Sequence, residues 1–277
     1  MRGGLGTATV VAALLVPSAQ AGPVEDLNPF KPEPPPNQQD PYAPAQPQPS
    51  QPPPAAPKKA KKKPKTRIRL SNERTRSRWA YVLDGTIARA RPSRKSRRVK
   101  RLRTYTSDNT PELVLVLEER LRPDRSRWVR VRLPMRPNNT TAWVPRKRLG
   151  RYHVVTTALK IDRRRFRATL YKRGRRVWTS RIGVGERHWP TPRGRFYVRN
   201  RLIPRDSNGI YGVFAFGTSA YSRVLTDWPG GGVIGIHGTN EPGLIPGRIS
   251  HGCVRVRNGN IRRLRRLMPL GTPIKIV

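Results

Sequence analysis

The sequence predicts a mainly β protein, with two β-rich segments in tandem and one short helix near the C-terminus. Three observations carry this expectation. Short runs rich in β-branched and aromatic residues recur from Trp79 to Val277, separated by Gly, Pro, Asn and Asp. Some alternate apolar and basic residues with a period of two, as in Trp128-Val129-Arg130-Val131-Arg132-Leu133, which buries one face of a strand and wets the other. One stretch alone, with Ile261, Leu264, Leu267 and Met268, carries apolar residues at helical spacing.

Ahead of these elements the chain is of another kind. Residues 1–21 read as a secretory signal peptide: Arg2 is a positive start, Leu5 to Val16 is mostly apolar or small, and Ala19-Gln20-Ala21 has the small-x-small pattern of a cleavage site. The apolar run is short for a membrane span. Left uncut it would tether the protein to the membrane; cut, it releases the protein into the periplasm or cell wall. Residues 22–66 read as a proline-rich, then lysine-rich, disordered linker. From Pro29 to Pro57 there are 13 prolines, and with so little to bury, this stretch makes an extended spacer of about 3.1 Å per residue. The run Lys58 to Lys65 either grips an anionic wall polymer or solubilises the linker.

The 277 residues hold 58 Lys and Arg against 16 Asp and Glu, a net charge of +42. Such an excess attracts polyanions. Export removes nucleic acid from the expected partners and leaves anionic lipid and acidic cell-surface polymers, anionic cell-wall polymers among them.

Residues 75–150 are expected to form a small β-domain. Tyr81-Val82-Leu83 and Thr86-Ile87-Ala88 flank Asp84-Gly85, a hairpin signal. Leu113 to Leu117 is a short apolar run, Trp128 to Leu133 an alternating strand, and Pro137-Asn138-Asn139 a turn leading into Ala142-Trp143-Val144-Pro145. Short strands joined by such turns suit a small barrel. The ending Trp143-Val144-Pro145 ahead of Leu149 resembles the end of bacterial SH3-like domains, which implies a wall-binding or positioning module without catalysis.

Residues 151–277 again read as strands: Tyr152 to Ile161, Phe166 to Tyr171, and, after the turn Lys172-Arg173-Gly174, Arg175 to Val184. Further strands are expected at Arg195 to Leu202, Gly212 to Phe216, Gly232 to Ile236 and Cys253 to Val256. Asn258 fits the N-cap of the helix, Pro269 and Gly271 stop it, and Pro273 to Val277 closes the chain as a strand. Gly230, Gly231, Gly232 and Gly235 crowd the approach to His237, where they would let a ligand or another backbone come close. Tyr221, Trp228 and the strand Gly212 to Phe216 either line a groove or pack in the core.

Cys253 is the only cysteine. In an exported protein it has no intramolecular disulfide partner, so it is either a buried small hydrophobe or a thiol in use. A nucleophilic cysteine needs a base or a positive field, together with N–H donors for an oxyanion. Arg255 shares a face with Cys253 in an extended segment, and Gly252 frees the backbone beside it. His251 is adjacent but cramped as a base; His237, arriving from another strand, presents its ring more freely. Zinc is the chemical rival, with His237, His251 and Cys253 as three ligands, although no carboxylate is close in sequence apart from Glu241. His153 and His188 stand outside the cluster.

These residues carry a resemblance. His237-Gly238 followed by Ser250-His251-Gly252-Cys253-Val254-Arg255 is similar to the signature of the L,D-transpeptidase (YkuD) family. Gly183-Val184-Gly185 with Thr191-Pro192-Arg193-Gly194-Arg195-Phe196 resembles that family's approach to its site, and Leu270 to Ile274 its closing strand. The segment between His237 and Ser250 is short for the family, and Arg255 stands where many members have asparagine. The resemblance implies a β-rich catalytic domain over 151–277, with Cys253 as nucleophile and His237 as proton donor and acceptor. The Gly238 carbonyl would orient the His237 ring. His251, Gly252 and Cys253 would shape the oxyanion site, with Ser250 and Arg255 in support. It further implies acyl transfer on peptidoglycan stem peptides, with 3→3 cross-links made through a thioester, no metal or organic cofactor, and inhibition by carbapenems. A carboxypeptidase acting on the same stems and a non-catalytic wall-binding protein are the alternatives.

Overall fold

The computed structural model describes residues 66–227 and 231–277. The expected signal peptide, the proline-rich linker, the lysine run to Lys65, Trp228 and Gly230 lie outside the described residues. Within them the protein is mainly β, with eighteen strands and one α-helix in two sheets.

The first sheet holds β1 (Arg67–Arg69), β2 (Ser77–Tyr81), β3 (Thr86–Arg89), β4 (Arg98–Leu102), β5 (Leu113–Leu121), β6 (Arg127–Arg132), β7 (Thr141–Pro145) and β8 (His153–Val155), in the order β4-β3-β7-β6-β5-β2-β8 with β1 on β5. Its core is aliphatic, with Leu70, Ala80, Val114, Val116, Val129, Val131 and Val144 buried together. The sheet begins earlier than residue 75: β1 pairs with β5, and the Ser71 hydroxyl donates to the Val116 carbonyl at 2.5 Å. On β6 the expected alternation holds, but the second face is also covered, because Trp128 is buried and Arg132 is ion-paired to Glu73.

The hairpin expected across Asp84-Gly85 does not form. A tight two-residue hairpin turn of the type such dipeptides favour needs positive φ at one or both central residues, and neither residue has it. The end of β2 has a competing partner: Val82 bridges Leu149, and the Leu83 N–H donates to the Arg148 carbonyl. β2 therefore pairs with β5 and β8, while β3 pairs with β4 and β7.

The second sheet follows from β9 (Thr157–Asp162), β10 (Arg167–Lys172), β11 (Arg175–Arg181), β12 (Gly183–Gly185), β13 (Gly194–Leu202), β14 (Ala215–Tyr221), β15 (Val233–His237), β16 (Gly247–Ser250) and β17 (Val254–Arg255), then α1 (Asn258–Leu267) and β18 (Pro273–Ile276). Its order is β11-β10-β9-β18-β13-β14-β15-β17-β12-β16. The β10–β11 turn is as expected, with Arg173 and Gly174 both at positive φ. The strand expected over Tyr152 to Ile161 is split. β8 belongs to the first sheet and β9 to the second, so the passage between sheets falls at Thr156. Arg175 to Val184 likewise divides into β11 and β12. The strand expected over Gly212 to Phe216 starts later, at Ala215, because Tyr211 to Val213 form a turn. Phe214 and Phe216 pack in the core with Phe196, Ile236, Val254, Ile261, Leu264 and Ile274.

α1 buries Ile261 and Leu264, with Met268 just beyond its end, and turns its arginines outward. A third cluster joins the two sheets: Trp79, Leu113 and Leu115 of the first pack with Tyr197 of the second.

Candidate active site

β15 and β17 are parallel neighbours, with Ile236 opposite Val254 and His237 opposite Arg255. One residue back along each strand, this register sets Gly235 beside Cys253. The Gly235 N–H accordingly points at the Cys253 Sγ, 3.3 Å away. A side chain at Gly235 would begin 3.8 Å from that sulfur and 3.7 Å from the His237 Cδ2, so the thiol and the imidazole both lie beside this one residue.

His237 is buried. Its Nδ1 lies 2.6 Å from the Gly238 carbonyl oxygen. A carbonyl only accepts, so in the neutral ring Nδ1 carries the hydrogen and Nε2 keeps its lone pair. Burial lowers the His237 pKa to about 4, a fall opposed by the Gly238 carbonyl and assisted by the nearby positive charge of Arg255. Burial also pushes the Cys253 thiol up from its ordinary value, while the Gly235 N–H and Arg255 oppose the rise. At neutral pH the resting pair is therefore a thiol beside a neutral imidazole.

The loop carrying the cysteine is tied at both ends. The Ser250 hydroxyl donates to the Cys253 carbonyl at 2.6 Å and accepts the Gly252 N–H at 3.2 Å. The Gly252 N–H, one of the expected oxyanion donors, is thus engaged by Ser250. Gly252 itself sits at φ +117°, a conformation L side chains rarely adopt. Thr191, between β12 and β13, secures it: its hydroxyl donates to the Gly252 carbonyl and accepts the Gly185 N–H, both at 2.8 Å.

Arg255 lines the same pocket and ion-pairs with Glu241 at 2.5 Å. His251 is exposed and its ring lies over Trp189 with centroids 4.3 Å apart. The zinc alternative required His237, His251 and Cys253 to converge; among the described residues no three His, Cys, Asp or Glu side chains are grouped to hold a metal. The pocket over Cys253 measures about 200 Å³ and is also lined by Ile210, Tyr211, Leu225 and Ile234. Tyr211 meets the His237 ring edge-on, with centroids 5.0 Å apart. Tyr221 does not line it: Arg136 covers the Tyr221 ring, and Asn138 binds its backbone.

Sequence reasoning missed Asn258 as part of this site. Its side chain accepts the Thr239 N–H at 3.2 Å and the Val213 N–H at 3.4 Å, and donates to the Thr239 carbonyl at 3.0 Å. It is the first residue of α1 and makes no cap; Arg257 holds the N-cap position. Thr239 follows Gly238 and Val213 packs beside it from the turn before β14, so Asn258 fixes the segment whose Gly238 carbonyl orients the ring.

Residues 156–276 match the family model described as the YkuD L,D-transpeptidase catalytic domain. Two curated proteins named L,D-transpeptidase YkuD are similar. The one from Bacillus licheniformis is 35% identical over 107 residues, covering 39% of this chain and 57% of that protein. The one from Bacillus subtilis is 33% identical over 108 residues, covering 39% and 58%. The chain thus spans somewhat more than half the length of these relatives. Among solved structures, Bd1075 from Bdellovibrio bacteriovorus is similar at 27% identity and a TM-score of 0.36, over 44% of this chain and 47% of that one. An L,D-transpeptidase from Mycobacterium smegmatis is similar at 16% identity and a TM-score of 0.34, over 55% and 90%.

Proposed function

We propose that residues 156–276, which match the YkuD L,D-transpeptidase catalytic-domain family model, act as such a domain, and that the protein forms 3→3 cross-links between peptidoglycan stem peptides through a thioester on Cys253. The observation that carries this is the strand register that sets the Cys253 thiol and the buried, neutral His237 ring together beside Gly235.

In the first half-reaction the Cys253 sulfur attacks the carbonyl of the diamino acid at the third stem position, and His237 Nε2 takes the thiol proton. The developing oxyanion is held by backbone N–H groups, with that of Cys253 nearest to the attacking sulfur. The bond to the terminal D-alanine then breaks, His237 returns the proton to the departing amine, and a thioester remains. In the second half-reaction an amine of a neighbouring stem attacks the thioester. His237 accepts the amine's proton and passes it to the departing sulfur, so that one amide has replaced another and the thiol is restored. Arg255 holds a positive field over both groups, which favours the neutral ring and eases loss of the thiol proton.

The same reading makes residues 1–21 an export signal and the first sheet an SH3-like module that positions the domain on the wall. It is tested by incubating the full chain with a carbapenem and weighing it intact. One covalent adduct is expected on the wild type and none on Cys253→Ala; a folded wild type that takes up no carbapenem would put the non-catalytic wall-binding reading ahead. A disaccharide-tetrapeptide substrate then yields a cross-linked dimer if the acceptor is an amine, whereas a tripeptide alone would make the enzyme a carboxypeptidase.

A further inference from the structure

A cavity of about 1110 Å³ opens on the first sheet and shares no lining residue with the Cys253 pocket. Seven of its thirteen lining residues are Arg or Lys, and Asp124 is its one carboxylate. The cations come from three separate segments, 93–95, 122–127 and 146–147. A second cavity of about 380 Å³ shares Arg94, Trp128, Pro145 and Lys147 with it and adds further arginines without any carboxylate. The two adjoin as one basic trough.

Part of this charge is already matched. Arg127 is paired with Glu119, Arg122 lies 3.6 Å from Asp124, and Arg146 lies over the Tyr152 ring. Arg94, Lys95, Arg125 and Lys147 are exposed, and no carboxylate among the described residues lies within ion-pair distance of any of them. Four like charges around one concavity repel each other, and that repulsion is relieved only when an anion enters. The trough also lacks a free aromatic face: Trp128 is 3% exposed and Tyr152 is covered by Arg146. Nucleobases, which bind single-strand grooves by stacking, would find no platform. A flat membrane surface does not reach into a concave trough. What fits is a flexible chain whose charge lies in its own backbone, with paired oxygens to meet guanidinium forks.

We infer that this trough binds a linear phosphodiester-linked polyol polymer, through Arg94, Lys95, Arg125 and Lys147. The site is independent of acyl transfer on Cys253 and would anchor the protein beside its substrate.

The experiment titrates the full chain with poly(glycerol phosphate). A variant combining Arg94→Glu, Arg125→Glu and Lys147→Glu is expected to lose affinity at least about tenfold. A variant of equal net charge on the second sheet's side, with Arg164→Glu, Arg262→Glu and Arg263→Glu, is expected to lose less than about threefold. Equal losses would overturn the inference, because the attraction would then be the diffuse field of the whole chain. A measurement on the unmutated protein checks the same point: bound polymer should protect Lys95 and Lys147, but not Lys160 or Lys172, from amine acylation read by mass spectrometry. Absence of that protection would also overturn it. Hyaluronan binding as tightly through the same residues would refute the phosphodiester assignment; single-stranded DNA or phosphatidylglycerol vesicles, whose phosphates are also diesters, binding as tightly would refute the assignment to a polyol polymer. The trough variant should still take up carbapenem on Cys253, which keeps this test separate from that of the catalytic reading.

Discussion

His237 and Cys253 are shifted in opposite directions by one cause, since burial favours the uncharged form of each. The proton therefore stays on sulfur, and a thiolate–imidazolium pair is not the resting state. Stability should carry the mark of this. An unfolded His titrates near pH 6.5, whereas His237 in the fold titrates at about 4. Between those values the unfolded chain binds a proton that the folded chain does not, so acidification through that window removes stability. His237→Gln, which cannot titrate, should show a shallower fall in melting temperature from pH 7 to pH 4 than the wild type. Parallel curves would mean that the ring is not held neutral. Both residues were legible in the sequence because their side-chain types are themselves the signal. Thr191 was visible only as part of a resemblance, since its tie to the Gly252 carbonyl spans 61 positions and only the fold brings the two together.

Among the elements, what the sequence revealed depended on whether an element was determined locally. The Arg173-Gly174 turn was legible because both residues take the left-handed conformation that a tight hairpin requires, and nothing competes. Asp84-Gly85 offered the same dipeptide logic, but Leu149 and Arg148, far along the chain, claimed the end of β2. Asn258 was misjudged for a similar reason. Its position before an apolar helical pattern fits a cap, yet its amide is drawn to the backbone of Thr239 and Val213. α1 thereby acts on the site through its first residue. Asn258→Ala would leave those backbone groups without partners and should cost about 1–3 kcal/mol, together with a slower acylation by carbapenem. Asn258→Asp keeps the acceptor and loses the donor, so it should fall between Ala and wild type in both melting temperature and acylation rate. If Ala lowered stability while acylation at a temperature well below melting stayed at the wild-type rate, Asn258 would be a purely structural residue.

For the molecule as a whole, the division into two β-rich parts was legible from composition and pattern, but their junction was not, because it is built from contacts between residues distant in sequence. Glu112 and Arg199 form a buried ion pair across it, and the Tyr197 hydroxyl donates to the Leu113 carbonyl at 3.2 Å. The junction also reaches the pocket over Cys253. Arg136, in the loop after β6, donates from Nε to the Ser222 carbonyl at 2.7 Å and from Nη2 to those of Leu225 and Gly231 at 2.8 and 2.9 Å. Ser222, Leu225 and Gly232 line the pocket over Cys253, so one guanidinium of the first part shapes the rim of the site in the second. These bonds are partly exposed, and their loss should barely lower the melting temperature. The effect belongs instead to binding: Arg136→Ala should weaken the reversible carbapenem complex about tenfold while the rate of acylation from that complex changes little, since Cys253 and His237 are held by other elements. Arg136→Lys should not restore binding, because a single ammonium cannot reproduce the planar fork that meets three carbonyls. Stopped-flow fluorescence over a range of carbapenem concentrations separates the two constants. A fall in the acylation rate with the binding constant unchanged would show that Arg136 acts on the chemistry instead, and no change in either would remove the first part from any role at the pocket.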